Sequence, residues 1–264
     1  MHDEAFALTI GVVVFAFGTL GLLLQRLLPE RMTTGAPKDL IGAMAGLLTL
    51  LSALVLGLLI WTAYGVYSSQ NIAIQTLAAK ILQLDLALAD YGRGADAGRA
   101  QLRQDLAQTV DQIWGEDRGD EAFIAENLSA AVDSLRHKAG YLEALTPDTD
   151  AEKHALSQAQ QTIEAIAQSR LQLAFGLSSP ISFMLIYVVT GWVAALFCAN
   201  GLMSRASPTT FVVFALGGLA IASAVYVILD LSSPYSGFFR ASPAPLERVL
   251  AQMGKDQGKV GGQR

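Results

Sequence analysis

The sequence predicts an all-α integral membrane protein: four transmembrane helices, with an extramembrane antiparallel helical bundle inserted between spans 2 and 3. Three observations predict it. Of the 264 residues 52% are apolar and only 16% charged, with a mean hydropathy of +0.41, values that suit several spanning segments better than a water-soluble domain. Four apolar runs, at residues 5–28, 40–67, 181–202 and 209–231, are each long enough to cross roughly 30 Å of hydrocarbon as a helix. The acidity lies between the second and third runs. Residues 68–178 hold sixteen Asp or Glu against nine Lys or Arg, so this section is exposed to water and does not attract nucleic acid.

The first span reads AFALTIGVVVFAFGTLGLLLQRLL over Ala5 to Leu28. The preceding His2, Asp3 and Glu4 lack the positive charge that opens a signal peptide, and the apolar run is too long for one. A short loop, Pro29 to Asp39, closes a helical hairpin, with Pro37 placed to start the second helix.

The second span, Leu40 to Tyr67, carries no charged side chain. Gly42, Ala45, Gly46, Thr49, Ser52 and Ala53 recur three and four apart as a small or hydroxylic face, while Leu47, Leu48, Leu51, Leu54, Val55 and Leu58 form a bulky one. The small face suits two roles: lining a pore, or close helix packing of the Gly42-x-x-x-Gly46 kind. Beyond Tyr67 the pattern continues without proline. Ile74, Leu77, Ile81, Leu84, Leu88 and Tyr91 make a heptad-like seam, with Gln75, Lys80, Gln83, Asp85 and Asp90 off it. One continuous rod is expected, its seam used either for self-association or inside the bundle.

Tyr91-Gly92-Arg93-Gly94 should stop that helix. Leu102, Leu106, Val110 and Ile113 then mark a short amphipathic helix, and Ile124, Leu128, Ala131, Leu135, Leu142 and Leu145 a third. Thr149 and Glu152 have capping-box spacing for a fourth, whose apolar residues Leu156, Ile163, Ile166, Leu173 and Leu177 lead back to the membrane. The last two spans follow, with Pro180 and Pro208 at their starts. Tyr235, Phe238 and Phe239 then read as an interfacial aromatic belt. After Pro245, Leu246, Val249, Leu250 and Met253 give one side of a surface-lying helix, with a disordered end. The chain thus divides into 1–67, a first hairpin; 68–178, the bundle; 179–232, a second hairpin; and 233–264, the interfacial tail.

A search for chemistry returns little. The phosphate-cradling Gly-x-x-x-x-Gly-Lys loop, the Gly-x-Ser-x-Gly elbow and the His-Glu-x-x-His pair are all absent from the sequence, so no enzyme activity, cofactor or metal is expected. His137 and His154 lie on separate helices and lack a third ligand. Glu116, Asp117, Asp120 and Glu121 read as a solvated turn, without the alternating spacing of a calcium loop. Cys198 is the only cysteine, so no internal disulfide forms. Asp230, at the end of the last span, either caps the Ser232-Ser233-Pro234 turn or places a charge at a pore mouth or beside Arg240.

The run Leu229-Asp230-Leu231-Ser232-Ser233-Pro234-Tyr235-Ser236-Gly237, followed by Ser242-Pro243 and Pro245-Leu246, resembles the acidic-Pro-aromatic-small-Gly signature that closes the bestrophin-like membrane protein family. Two spans, a helical insert and two spans are similar too, over about residues 40–253. Where members commonly carry a Glu-Ala pair after the second span, this chain has Ser69-Gln70-Asn71-Ile72-Ala73. The resemblance implies a multi-pass protein of the bacterial inner membrane and a homo-oligomeric ion channel, for anions in the sense that the family is remotely similar to bestrophin anion channels. Asp230, Pro234, Tyr235 and Gly237 are its signature positions. The alternative is a sensor or scaffold that displays the bundle without conducting. Arg26, Arg31 and Lys38 flank the first loop, so charge bias puts the short loops in the cytoplasm and the bundle outside; similarity to bestrophins implies the reverse.

Overall fold

The computed structural model describes residues 2–27, 35–114, 140–142, 144–177, 183–233 and 238–261. The chain divides into two compact units, one comprising Met1–Gly65 with Pro180–Ser232 and the other Val66–Ser179 with Ser233–Arg264. Among the described residues, four helices are long and apolar enough to cross a membrane.

The first unit contains α1 (His2–Leu27), the beginning of α2 (Ala36–Tyr91), α5 (Phe183–Met203) and α6 (Pro208–Ser232). Helix α1 packs on both α5 and α6. Glycine permits the approach. A Cβ at Gly11 would stand 2.8 Å from the Gly218 carbonyl oxygen, and one at Gly218 would stand 2.9 Å from that of Gly11. Cβ atoms at Gly21 and Gly201 would overlap the carbonyl oxygens of Cys198 and Gly18. Within lipid, where apolar burial drives little association, such backbone proximity is what holds helices together. Ser207 opens α6 by accepting a hydrogen bond from the Thr210 N–H at 3.2 Å, and Pro208 occupies the first helical position, where its missing N–H costs nothing.

Helix α2 is unbroken for 56 residues, about 84 Å at 1.5 Å per residue and so far longer than a bilayer is thick. It ends where expected: Gly92 takes φ 95°, a conformation that side chains disfavour.

The second unit is built from the rest of α2, α3 (Asp96–Trp114), α4 (Asp150–Leu177) and α7 (Ala244–Gly261). The seam residues Ile74, Leu77, Ile81, Leu84, Leu88 and Tyr91 are all buried in one core with Leu102, Leu106, Ile113, Ile163, Ile166 and Leu173. The seam is consumed inside the chain and is not open to a second copy. The capping box at the start of α4 forms as its spacing predicts. The Glu152 N–H donates to Thr149 Oγ1 at 3.2 Å, and Glu152 Oε2 accepts from the Asp148 and Thr149 N–H groups at 2.7 and 3.2 Å. Those bonds hold the Glu152 carboxyl below its ordinary value, the Asp148 N–H contributing most. Of the expected third helix only 140–142 and the following residues from 144 are described, with Leu142 buried; His137 and the acidic turn at 116–121 lie outside the described residues.

The C-terminal segment corrects an expectation. Leu246, Val249 and Met253, read from sequence as the membrane-facing side of a surface helix, are buried in the core of the second unit. Helix α7 packs on α3, and the Trp114 indole N–H donates to the Ala241 carbonyl at 2.8 Å. The end expected to be disordered is helical through Gly261. An amphipathic stripe serves a protein core as readily as a lipid surface, because both reward the same apolar spacing. Phe238 and Phe239 remain exposed, as an edge-to-face pair 5.3 Å apart.

Candidate pore face and buried charges

The apolar window of α2 is the outlier among the spans. Only 11% of it is buried inside the chain, against 39% for α1 and 33% each for α5 and α6. A helix so apolar and so uncovered must meet lipid, a second copy or a pore.

The six residues of its small face divide between two sides. Gly42, Gly46, Thr49 and Ala53 are exposed, whereas Ala45 and Ser52 are buried, with Leu59 and Ala63 continuing the inward side. Among the described residues nothing lies within 4 Å of a Cβ built at Gly42, Gly46, Gly57 or Gly65. The close glycine packing of this unit is made by Gly11, Gly18, Gly21, Gly201 and Gly218 instead. Their spacings of seven and three in α1 were the available signal.

The two hydroxyls differ. Thr49 Oγ1 donates to the Ala45 carbonyl one turn back at 2.8 Å, so its proton is engaged and its lone pairs face outward. Ser52 is 4% exposed, and its Oγ has no hydrogen-bond partner among the described residues. A buried hydroxyl without a partner costs about 1–3 kcal/mol. The Leu51 side chain on the bulky face is exposed.

Asp230 is buried within α6, at 4% exposure, and the hydroxyl of Ser232 donates back to the Ile228 carbonyl. Pro234, Tyr235 and Gly237 lie outside the described residues. An acid enclosed at the end of an apolar helix is unusual enough to mark the place as functional or structurally specific.

The second unit buries charges that sequence reasoning missed. Asp85, placed off the seam by its spacing, is 1% exposed. Arg99, from the first turns of α3, clamps it with two hydrogen bonds, Nε to Oδ1 at 2.8 Å and Nη2 to Oδ2 at 2.9 Å. The Lys80 ammonium donates to Ser169 Oγ at 2.7 Å and to the Ala165 carbonyl at 3.0 Å, tying α2 to α4. Arg170 is buried beside Ser169, and desolvation pulls its guanidinium down to about 10. Gln75, Gln83 and Asp90 do face solvent.

Comparison with known proteins bears on the whole chain. The family described as Bestrophin-like domain matches residues 12–246. Among solved structures, a mutant of a bacterial bestrophin homologue from Klebsiella pneumoniae is similar in fold with a TM-score of 0.64 at 13% identity, over 95% of this chain and 98% of that one. A second mutant of that homologue gives 0.46 at 15% identity, over 96% and 99%. No curated protein matches the chain.

Proposed function

From the premise that the chain belongs to the bestrophin-like family, we propose that it is a four-span protein of the bacterial cell membrane whose copies assemble around α2 into an ion-conducting pore, with anions as the permeant class. The observation that carries this reading is the exposed stripe of Gly42, Gly46, Thr49 and Ala53 on a span only 11% buried. Small side chains leave width for an ion, and the bulky Leu47, Leu51, Leu54 and Leu58 are then free to meet lipid or neighbouring copies. No charged residue lies on the span between Leu40 and Tyr67. Selectivity therefore arises at the mouths or from Thr49, whose proton reaches an anion only by leaving Ala45.

The test is thiol accessibility in a Cys198→Ala background. Thr49→Cys should react with water-soluble reagents in the assembled protein, Ser52→Cys should be shielded, and Leu51→Cys, facing lipid, should be inert. An inert Thr49→Cys overturns the pore. Planar-bilayer recording then separates a channel from a sensor or scaffold: with a salt gradient, the sign of the reversal potential reports whether anions carry the current. The basic residues around the first loop support the bundle outside the cytoplasm. A reporter active only in the cytoplasm, fused after Arg264, should stay silent in that orientation, and a signal reverses it.

A further inference from the structure

The first unit carries a groove of about 720 Å³ between α1 and α5. Its walls are Val13, Phe17 and Leu24 of α1, and its floor is Gly191, Ala194, Ala195 and Ala199 of α5, whose small side chains leave the space open. A Cβ built at Gly191 meets nothing within 4 Å among the described residues. The groove follows α5 from Tyr187 to Leu202, a rise of about 22 Å. Its lining offers water almost nothing. Thr190 Oγ1 donates to the Ile186 carbonyl at 2.7 Å, so its proton is engaged, and the Cys198 thiol lies about 12 Å further along the helix. A stable water needs two to four polar partners in one place, and these two groups are too far apart to share one. At the N-terminal end of α5 stands Tyr187, its ring held edge-to-face against Phe6 with centroids 5.9 Å apart. Tyrosine is the kind of residue that favours the boundary between membrane and water.

We propose that this groove holds one acyl chain of a phospholipid. An apolar surface inside a bilayer has two candidate occupants, a lipid chain and a helix of a second copy, and the cross-section separates them. A volume of 720 Å³ spread over about 22 Å of helix leaves about 30 Å² in section, whereas a helix 10 Å across needs about 80 Å². A helix laid on the groove would bridge it and leave the floor empty; a hydrocarbon chain enters it. The depth agrees. One leaflet is about 15 Å deep, half of the hydrocarbon core, so a chain that enters beside Tyr187 runs over Gly191 and Ala195 and ends within the groove. There its methylenes touch both helices and gain dispersion contacts that a chain on a flat helix face lacks. The inference needs the first unit to lie in a membrane and does not depend on conduction through α2.

Photolabelling tests it. The full chain is placed in vesicles of phosphatidylethanolamine and phosphatidylglycerol that contain a little phosphatidylcholine with a diazirine midway along one acyl chain, and the adducts are mapped by mass spectrometry after irradiation. Contact with surrounding lipid alone would label Leu216 of α6, 62% exposed, far more than Ala194, 4% exposed. The groove reverses that order: adducts on Ala194, Ala195 and Ala199 together should exceed those on Leu216 at least about threefold, the equivalent of a handful of added atom contacts. Gly191→Leu puts a side chain into open groove and should bring the yield on the three alanines below that on Leu216. Val213→Leu, at an exposed position of α6 outside the groove, should change nothing. Yields that follow exposure in the unmodified protein, alanines left unlabelled because a second copy covers them, or labelling that survives Gly191→Leu overturns the proposal. The comparison within the unmodified protein decides the matter even where a variant does not fold.

Discussion

Asp85 and Arg99 make a measurable claim about what holds the second unit together. Both side chains are nearly withdrawn from water, and two hydrogen bonds of 2.8 and 2.9 Å join them. Replacing Arg99 by Met keeps most of the side-chain volume but leaves a carboxylate 1% exposed without its charged donor. Breaking a buried pair from one side costs about 3–5 kcal/mol. Replacing both, as Asp85→Leu with Arg99→Met, removes the charge and its desolvation penalty together, and the double variant should fall within about 1 kcal/mol of the parent, since such exchanges are often neutral. The two single losses therefore should not add, whereas independent sites add within about 0.5 kcal/mol. Denaturant unfolding in detergent, followed by the fluorescence of Trp114 with Trp61 and Trp192 replaced by Phe, reads the second unit selectively. A loss below about 1 kcal/mol for Arg99→Met, or a double variant as unstable as the worse single one, would refute the reasoning, for then the pair would be no more than a screened surface contact.

Further expectations concern other elements. Gly21→Leu should collapse the yield of monodisperse protein on size-exclusion chromatography, because its side chain would drive into the Cys198 carbonyl; Gly42→Leu, with open space around it, should leave that yield unchanged and reduce conductance instead. Met253→Ala should destabilise the second unit by about 2–5 kcal/mol, since Met253 is 1% exposed in its core; no change in the denaturant midpoint would return α7 to the surface. The Glu152 carboxyl is held below its ordinary value of 4.5, so the stabilisation it gives is present above that value and is lost as pH falls through the lower folded value. Thermal unfolding followed from about pH 5.5 to about pH 3 should therefore decline less steeply in Glu152→Gln than in the parent.

Local signals and partner-dependent ones were unequally legible in the sequence. The apolar runs, the stop at Gly92 and the Thr149–Glu152 box are local signals, and among the described residues they correspond to four long apolar helices, an end of α2 at Tyr91 and a closed capping box. Asp85 was misplaced for a reason that lies outside its own helix. It follows Ile81 by four and precedes Leu88 by three, on the edge of the seam, where an acid faces water unless something compensates it. The compensating group, Arg99, arrives only after the chain has turned at Gly92. The same limit explains α7, whose Leu246, Val249 and Met253 spacing is common to a lipid surface and a protein groove; the decision is made by α3, over a hundred residues earlier in the chain. It explains the glycines as well. Gly42-x-x-x-Gly46 is a local pattern with nothing within 4 Å of its Cβ positions among the described residues, while Gly21 and Gly201 have no shared local pattern and yet meet backbone to backbone. A small residue becomes a packing device only when a partner surface exists. That the Gly42-x-x-x-Gly46 spacing lacks one among the described residues is the physical reason to look for its partner in a conducted ion, a lipid or another copy, and thiol accessibility at Thr49 distinguishes a water-filled pore from the other two.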